Sequence, residues 1–255
     1  MAGMRILVSN DDGIHAPGIH VLVDSIQGLG DIKVVAPEAE RSGCSHSVTL
    51  NHPLRPKMVY RETGPFGQSV NGTPADCVKL AVHHLMDPPP DLILSGINQG
   101  ANTGICVIYS GTISAAAEGA ILGIPSIAFS LAVDDEPLWD TAGHVVRRVV
   151  ENFAHSGLSP NTLLNVNIPN LPVEDLKGFS VVPMGKSRYI DEFEERTDPR
   201  GNRYFWLVGE LKHDDHSGNT DFHMVDDGYI SLTPIHFDLT HHESLEPLIQ
   251  WDLAL

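Results

Sequence analysis

Through its first two thirds the sequence alternates short apolar runs rich in β-branched residues with longer amphipathic stretches. That alternation limits the fold more than any single motif. "RILVS", "GIHVLVDSIQGL" and "IKVVAP" read as strand, helix and strand; "PADCVKLAVHHL" predicts a helix, "PDLILSGIN" a buried strand, "SAAAEGAILG" a helix and "IPSIAFSL" a strand. In "TAGHVVRRVVENF", Val145, Val146, Val149, Val150 and Phe153 recur at helical spacing, and "TLLNVNIP" supplies another strand. Nearly continuous apolar strands separated by helices imply an α/β fold, a mostly parallel sheet with helices on both faces. Ligands of such sheets bind beyond the carboxyl ends of the strands, so polar residues there are the first candidates for a site.

After about Pro183 the pattern changes to Gly, Asp and aromatic residues with short strand signals and no interleaved helices. The expected organisation is a core over residues 1–183 and, over 184–255, hairpins and a C-terminal extension that serves oligomerisation and completes the core. "DPRG", Asp198 to Gly201, is a turn signal within it. Sixteen basic against 33 acidic residues give a net charge of −17, which repels a polyanion and leaves no basic stripe to track a phosphate backbone. A nucleic acid polymer is therefore not an expected partner. A small phosphorylated molecule remains compatible if a divalent cation neutralises it. Cys44, Cys77 and Cys106 are odd in number and widely spaced, the start has no signal-peptide pattern, and no apolar run approaches the roughly 18 residues of a membrane span. A soluble cytoplasmic protein is the expectation.

Four polar stretches fall at or after the predicted strand ends. Asn10, Asp11 and Asp12 follow the first strand, and Gly13 lets the chain turn. Neighbouring strand side chains point to opposite faces, so adjacent carboxylates converge only where strand gives way to loop, and once together they favour a cation between them. "APEAERSGCSHS" puts Ser42 and Gly43 in a small-residue loop, and "DLILSGINQGANTG" places Ser95, Gly96, Asn98 and Asn102 at the end of a buried strand. Carboxylates with a Ser hydroxyl and an Asn amide oxygen make a hard, all-oxygen set suited to Mg2+ or Mn2+ rather than Zn2+. In "YSGTISAAAEG", Tyr109, Ser110, Gly111 and Thr112 lead into a helix whose free N–H groups suit a phosphate. Taken singly, each stretch is more often a turn or a helix cap; their conjunction points to phosphoryl chemistry. A covalent route with Asp11 as nucleophile is a rival, but such sites carry a second acid two positions on, where this chain has Gly13.

"ILVSNDDGIHAPGI", "VVAPEAERSG", "VNGTPADCV", "LILSGINQGANTG", "YSGTISAAAEGA" and the later "DPRG", "YFWLVGE", "GYISLTPI" and "DLT" resemble, in order, the stationary-phase survival protein SurE family of metal-dependent 5′/3′-nucleotidases. The resemblance implies a Rossmann-like core with a swapped C-terminal arm, a homodimer or homotetramer, and hydrolysis of nucleoside 5′- and 3′-monophosphates by a metal-activated water. Short polyphosphate is a further implied substrate. It also implies that Asp11, Asp12, Ser42 and Asn98 hold one divalent cation, Mg2+ or Mn2+, per subunit, with Asp11 and Asp12 catalytic. Ser110, Gly111 and Thr112 are then expected at the phosphate, and Asn71, Gly72 and Thr73 on the substrate side, with Asn10, Gly43 and Asn102 completing the substrate contacts. A nucleotide-binding regulatory module without catalysis is the alternative.

Overall fold

A computed structural model describes residues 3–133, 135–153 and 161–251. The strands of the first part are β1 (Arg5–Ser9), β2 (Asp31–Pro37), β3 (Pro56–Arg61), β4 (Gly64–Val70), β5 (Leu92–Gln99), β6 (Ser126–Ala132), β7 (Thr162–Pro169) and β8 (Phe179–Val181). Beyond them come β9 (Ser187–Ile190), β10 (Phe193–Thr197), β11 (Arg203–Leu207), β12 (Glu210–His213) and β13 (Ile230–His236). The helices are α1 (Pro17–Ser25), α2 (Pro74–Leu80), α3 (Cys106–Tyr109), α4 (Gly111–Ile121), α5 (Trp139–Phe153), α6 (Asp221–Asp226) and α7 (Leu245–Ile249).

One sheet of nine strands, in the order β3-β4-β2-β1-β5-β6-β7-β13-β8, forms the middle layer. Its centre, β2-β1-β5-β6-β7, is parallel. The apolar runs have no polar alternation because both faces are covered. Along β1, Ile6 and Val8 join the cluster that includes Leu22 of α1 and Val146 of α5, while Leu7 joins Val78 of α2 and Ala115 of α4 on the other face. β5 repeats this with Leu92 and Leu94 on one side and Ile93 on the other. The valines at helical spacing in α5 are the ones buried against the sheet. Each such side chain contributes roughly 1.5–3 kcal/mol on burial.

Two features of this sheet position the site. The chain leaves β1 for β2 on one side and returns through β5 on the other, which opens a crevice at their carboxyl ends. Ser9 is in register with Ser95, so residues 10–12 and 96–98 leave the sheet side by side.

The expected C-terminal hairpins are present: β9 pairs with β12, and β10 with β11 across the Asp198–Gly201 turn. The Asp198 carboxylate closes that turn by accepting from the N–H groups of Arg200 and Asn202 at 2.8 and 2.9 Å. Every residue of β10 and β11 is exposed. β13, in contrast, returns to the main sheet, antiparallel to β7 and parallel to β8, with Ile230, Ser231 and Thr233 buried. Among the described residues, no helix is long and apolar enough to cross a membrane.

Candidate active site

Seven of the expected residues, Asp11, Asp12, Ser42, Gly43, Asn98, Asn102 and Ser110, line one cavity of about 550 Å³ at the carboxyl edge of the sheet. Asn10 lies behind it, fully buried, and its side-chain N–H donates to the Gly13 carbonyl at 2.9 Å, tying the turn that follows β1. Gly13 takes φ of 96°, and a side chain there would also press on the Ala39 backbone.

Asp11 is only 4% exposed. The Thr112 hydroxyl donates to its carboxylate, with support from the backbone N–H groups of Thr112 and Gly111 at the start of α4. A Cβ on Gly111 would lie 2.6 Å from the Cβ of Asp11, so only glycine allows this approach. The anion held at this helix start is thus the protein's own carboxylate, which departs from the expectation that Gly111 and Thr112 face a phosphate. Ser110 caps the same helix by accepting from the Ile113 N–H at 3.1 Å, which leaves its hydroxyl proton free. Burial raises the Asp11 pKa against these donors. Asp12, less buried, is pushed up to about 6, by burial first and then by the neighbouring Asp11 charge.

The Asn98 amide donates to the Gly100 carbonyl at 2.7 Å, which turns its oxygen toward Thr112 at 3.3 Å and so toward Asp11. Carboxylate and amide acceptors therefore crowd one corner with a single hydroxyl between them. Among the described residues no Lys or Arg lines the cavity, and no three His, Cys, Asp or Glu side chains gather to hold an ion. An ion here would rest on two carboxylates and neutral oxygens, a set that fits a hard divalent cation. Ser42 stands at the rim, with its hydroxyl donating to Glu40 at 2.7 Å.

Asn71, Gly72 and Thr73 are not brought into the cavity. Asn71 accepts from the Arg55 N–H at 2.7 Å and donates to the Pro53 carbonyl at 3.2 Å. Thr73 caps α2 in a reciprocal box with Asp76 and donates to the Ser47 carbonyl at 2.7 Å. Gly72 packs against Leu54 and Asp76 without room for a Cβ. All three hold the loop that carries Ser42. That loop is further tied by the Arg41 N–H to the Asp11 carbonyl at 2.7 Å and by His46 to Glu118 at 2.8 Å. Glu118 is buried, which raises its pKa, but hydrogen bonds from His46 and Lys79 outweigh this and hold it below the usual carboxylate range.

A family model described as survival protein SurE matches residues 6–191. This chain belongs to the SurE family. The 5′-nucleotidase SurE of Heliobacterium modesticaldum is 47% identical over 249 residues, covering 97% of this chain and 92% of that protein. The 5′-nucleotidase SurE of Syntrophobacter fumaroxidans is 45% identical over 250 residues, covering 98% of this chain and all of its own. The crystal structure of the SurE protein from Aquifex aeolicus matches with a TM-score of 0.82 at 40% identity, over 96% of this chain and 98% of that one.

In this SurE-family chain several residues at the site lie outside the expected set of ligands and substrate contacts. Glu40, Gln99, Cys106 and Tyr189 also line the cavity. Asn102 is gripped from β7: its N–H donates to the Asn167 side chain at 2.7 Å, and Asn165 donates to its carbonyl at 2.8 Å. The "NVN" spacing, which places two amides on one face of a strand, is the signal that identifies this pair. Asp221, fully buried, accepts from the Gly104 and Gly185 N–H groups at 2.9 and 2.8 Å and clamps the site loop to the base of the hairpin arm.

Proposed function

We propose that this chain is a metal-dependent nucleotidase that hydrolyses nucleoside 5′- and 3′-monophosphates to nucleoside and phosphate, with short polyphosphate as a further substrate. The observation that carries this reading is the acceptor-rich corner of Asp11, Asp12 and Asn98, which faces an open cavity lined by no described basic residue. The names of the similar proteins, 5′-nucleotidase SurE, support the same activity.

Asp11, Asp12, Asn98 and Ser42 would hold one Mg2+ or Mn2+ per subunit. When bound, such an ion supplies Lewis acidity toward a phosphate oxygen and lowers the pKa of water. The remaining work belongs to the chain itself. Thr112 and Gly111 fix the Asp11 carboxylate, and Gly100 fixes the Asn98 amide, so the oxygens are ordered before substrate arrives. The free proton of Ser110 is available to a non-bridging phosphate oxygen, where a donor stabilises developing charge. Water adds to phosphorus, the ester bond breaks, and the leaving nucleoside oxygen takes a proton. Asn71, Gly72 and Thr73 position the Ser42 loop, while Asn102 and Gly43 shape the substrate wall.

Residues 1–183 supply this catalytic core. The extension over 184–255 returns β13 to the sheet and projects an arm whose exposed Phe193, Tyr204, Phe205, Trp206 and Leu207 suit pairing with other copies as a dimer or tetramer. The cytoplasm is the proposed compartment. The test is phosphate release from AMP and GMP after chelation and after addition of Mg2+ or Mn2+. Activity that disappears and returns with metal is expected. Binding of nucleotide with no release under any divalent ion would overturn the reading in favour of a regulatory module.

A further inference from the structure

We propose that Tyr109 and Tyr189 form a stacking platform for the nucleobase, so that this site selects nucleotides over other phosphate monoesters through aromatic area rather than through hydrogen bonds to base edges. The inference rests on the nucleotidase reading. The cavity lining is chemically mixed: beside the carboxylates, amides and Ser110 stand Cys106, Tyr109, Tyr189 and Val133, which add aromatic and apolar surface.

Tyr109 precedes the helix cap Ser110, and its carbonyl accepts from the Ser45 N–H at 3.0 Å, so its backbone is fixed within one residue of the proposed phosphate contact. Tyr189 reaches the same place from the arm strand β9. The base of that strand is pinned where the Ile105 N–H donates to the Ser187 hydroxyl at 2.9 Å. The two rings meet edge to face, with centroids 5.9 Å apart and planes at 71°. In this arrangement the ring that lends its edge keeps both of its own faces clear of the pair, and the other ring gives up one face.

A purely packing role for the two rings would bury them between arm and core. They are instead 50% and 43% exposed, inside a concavity that holds the site. Their polar atoms are partly spent: the Tyr189 hydroxyl and Cys106 Sγ share a hydrogen bond at 3.3 Å, which also fixes the ring. That contact, followed by burial, pushes the Tyr189 pKa up to about 12, so the phenol stays neutral beside a phosphate monoester. Beyond the Tyr109 hydroxyl, what the pair offers a ligand is π surface, and every base has a π face. Tolerance among bases, with purines ahead of pyrimidines by area, follows from that chemistry.

The test compares kcat and KM for AMP, GMP, CMP and ribose 5-phosphate, in the wild-type protein and in Tyr109→Leu, Tyr189→Leu and Tyr109→Phe. The wild-type protein is expected to prefer AMP and GMP to ribose 5-phosphate through KM. Base stacking of ordinary strength predicts that Tyr109→Leu lowers the ratio of kcat/KM for AMP over that for ribose 5-phosphate by about tenfold, with Tyr109→Phe restoring it. Tyr189→Leu should lower the same ratio, and because the ratio is internal to each variant, a displaced arm that weakens all substrates alike does not mimic the effect. A wild-type protein that cleaves AMP and ribose 5-phosphate equally well, or a ratio unmoved by both leucine variants, overturns the platform while leaving the nucleotidase reading in place. Failure of the wild-type protein to release phosphate from any of the four removes both.

Discussion

The starts of α2 and α4 both bind a carboxylate through free backbone N–H groups, yet they do opposite things with it. At α2 the carboxylate is local: Asp76, three residues into the helix, accepts from the Thr73 N–H at 2.8 Å and from the Thr49 N–H at 3.0 Å, and the end is closed. At α4 it comes from Asp11, about a hundred residues earlier, and it lines the cavity together with Asp12 and Asn98. A capping residue from its own helix finishes a fold. One borrowed from a strand end is presented to something else. The difference lies in topology, because at the switch point between β1 and β5 a strand end meets the start of a helix that comes about a hundred residues later in the chain.

Substitution should separate the two ends sharply. Asp11→Asn is expected to lower kcat by about 10³-fold or more while the melting temperature holds or rises, because a site carboxylate contributes several kcal/mol to chemistry and is costly to keep buried. Steady-state kinetics and thermal melts on one preparation check both. Thr112→Val keeps the shape but removes the hydroxyl that orients Asp11, and second-layer changes of this kind typically cost about 10- to 100-fold in metal affinity. A metal activation curve would show the midpoint moving, and an unmoved midpoint would make Thr112 a packing residue only.

Asp76→Ala gives the mirror result: a stability loss of about 1–2 kcal/mol with kcat close to wild type at saturating metal and substrate. Burial raises the Asp76 pKa, but its hydrogen bonds, that of Thr49 first, outweigh this and leave it below the ordinary value. A carboxyl depressed on folding contributes stability above its unfolded value near 3.9 and loses it as pH falls through the folded value. Acid unfolding of Asp76→Ala should accordingly be less steep below about pH 4 than that of the wild-type protein.

Much of this contrast is legible in the sequence. A buried parallel strand announces itself as an apolar run, and charge placed at its end stands out, so Asp11, Asp12 and Asn98 are identifiable from residue type and position alone. What the α4 start binds is not, since "SGT" before a helix has the same chemistry whether its partner is a ligand or a distant carboxylate. Asn71 and Thr73 carry substrate-like residue types, but their polar atoms are consumed by a loop that begins more than twenty residues earlier. Glu40 and Tyr189 reach the cavity only through loop docking and the arm, neither of which leaves a periodic trace. β13 lies in the extension expected to complete the core, but which strands it joins, β7 on one side and β8 on the other, is set by pairing that no local pattern reveals.

Whether the borrowed carboxylate at α4 holds an ion is tested by calorimetric titration of the chelated protein with Mn2+, performed on the wild type, Asp11→Asn and Asp76→Ala. One ion per chain is expected in the wild type and in Asp76→Ala, with loss of that site in Asp11→Asn. Undiminished binding by Asp11→Asn, or no binding by the wild-type protein, would contradict it.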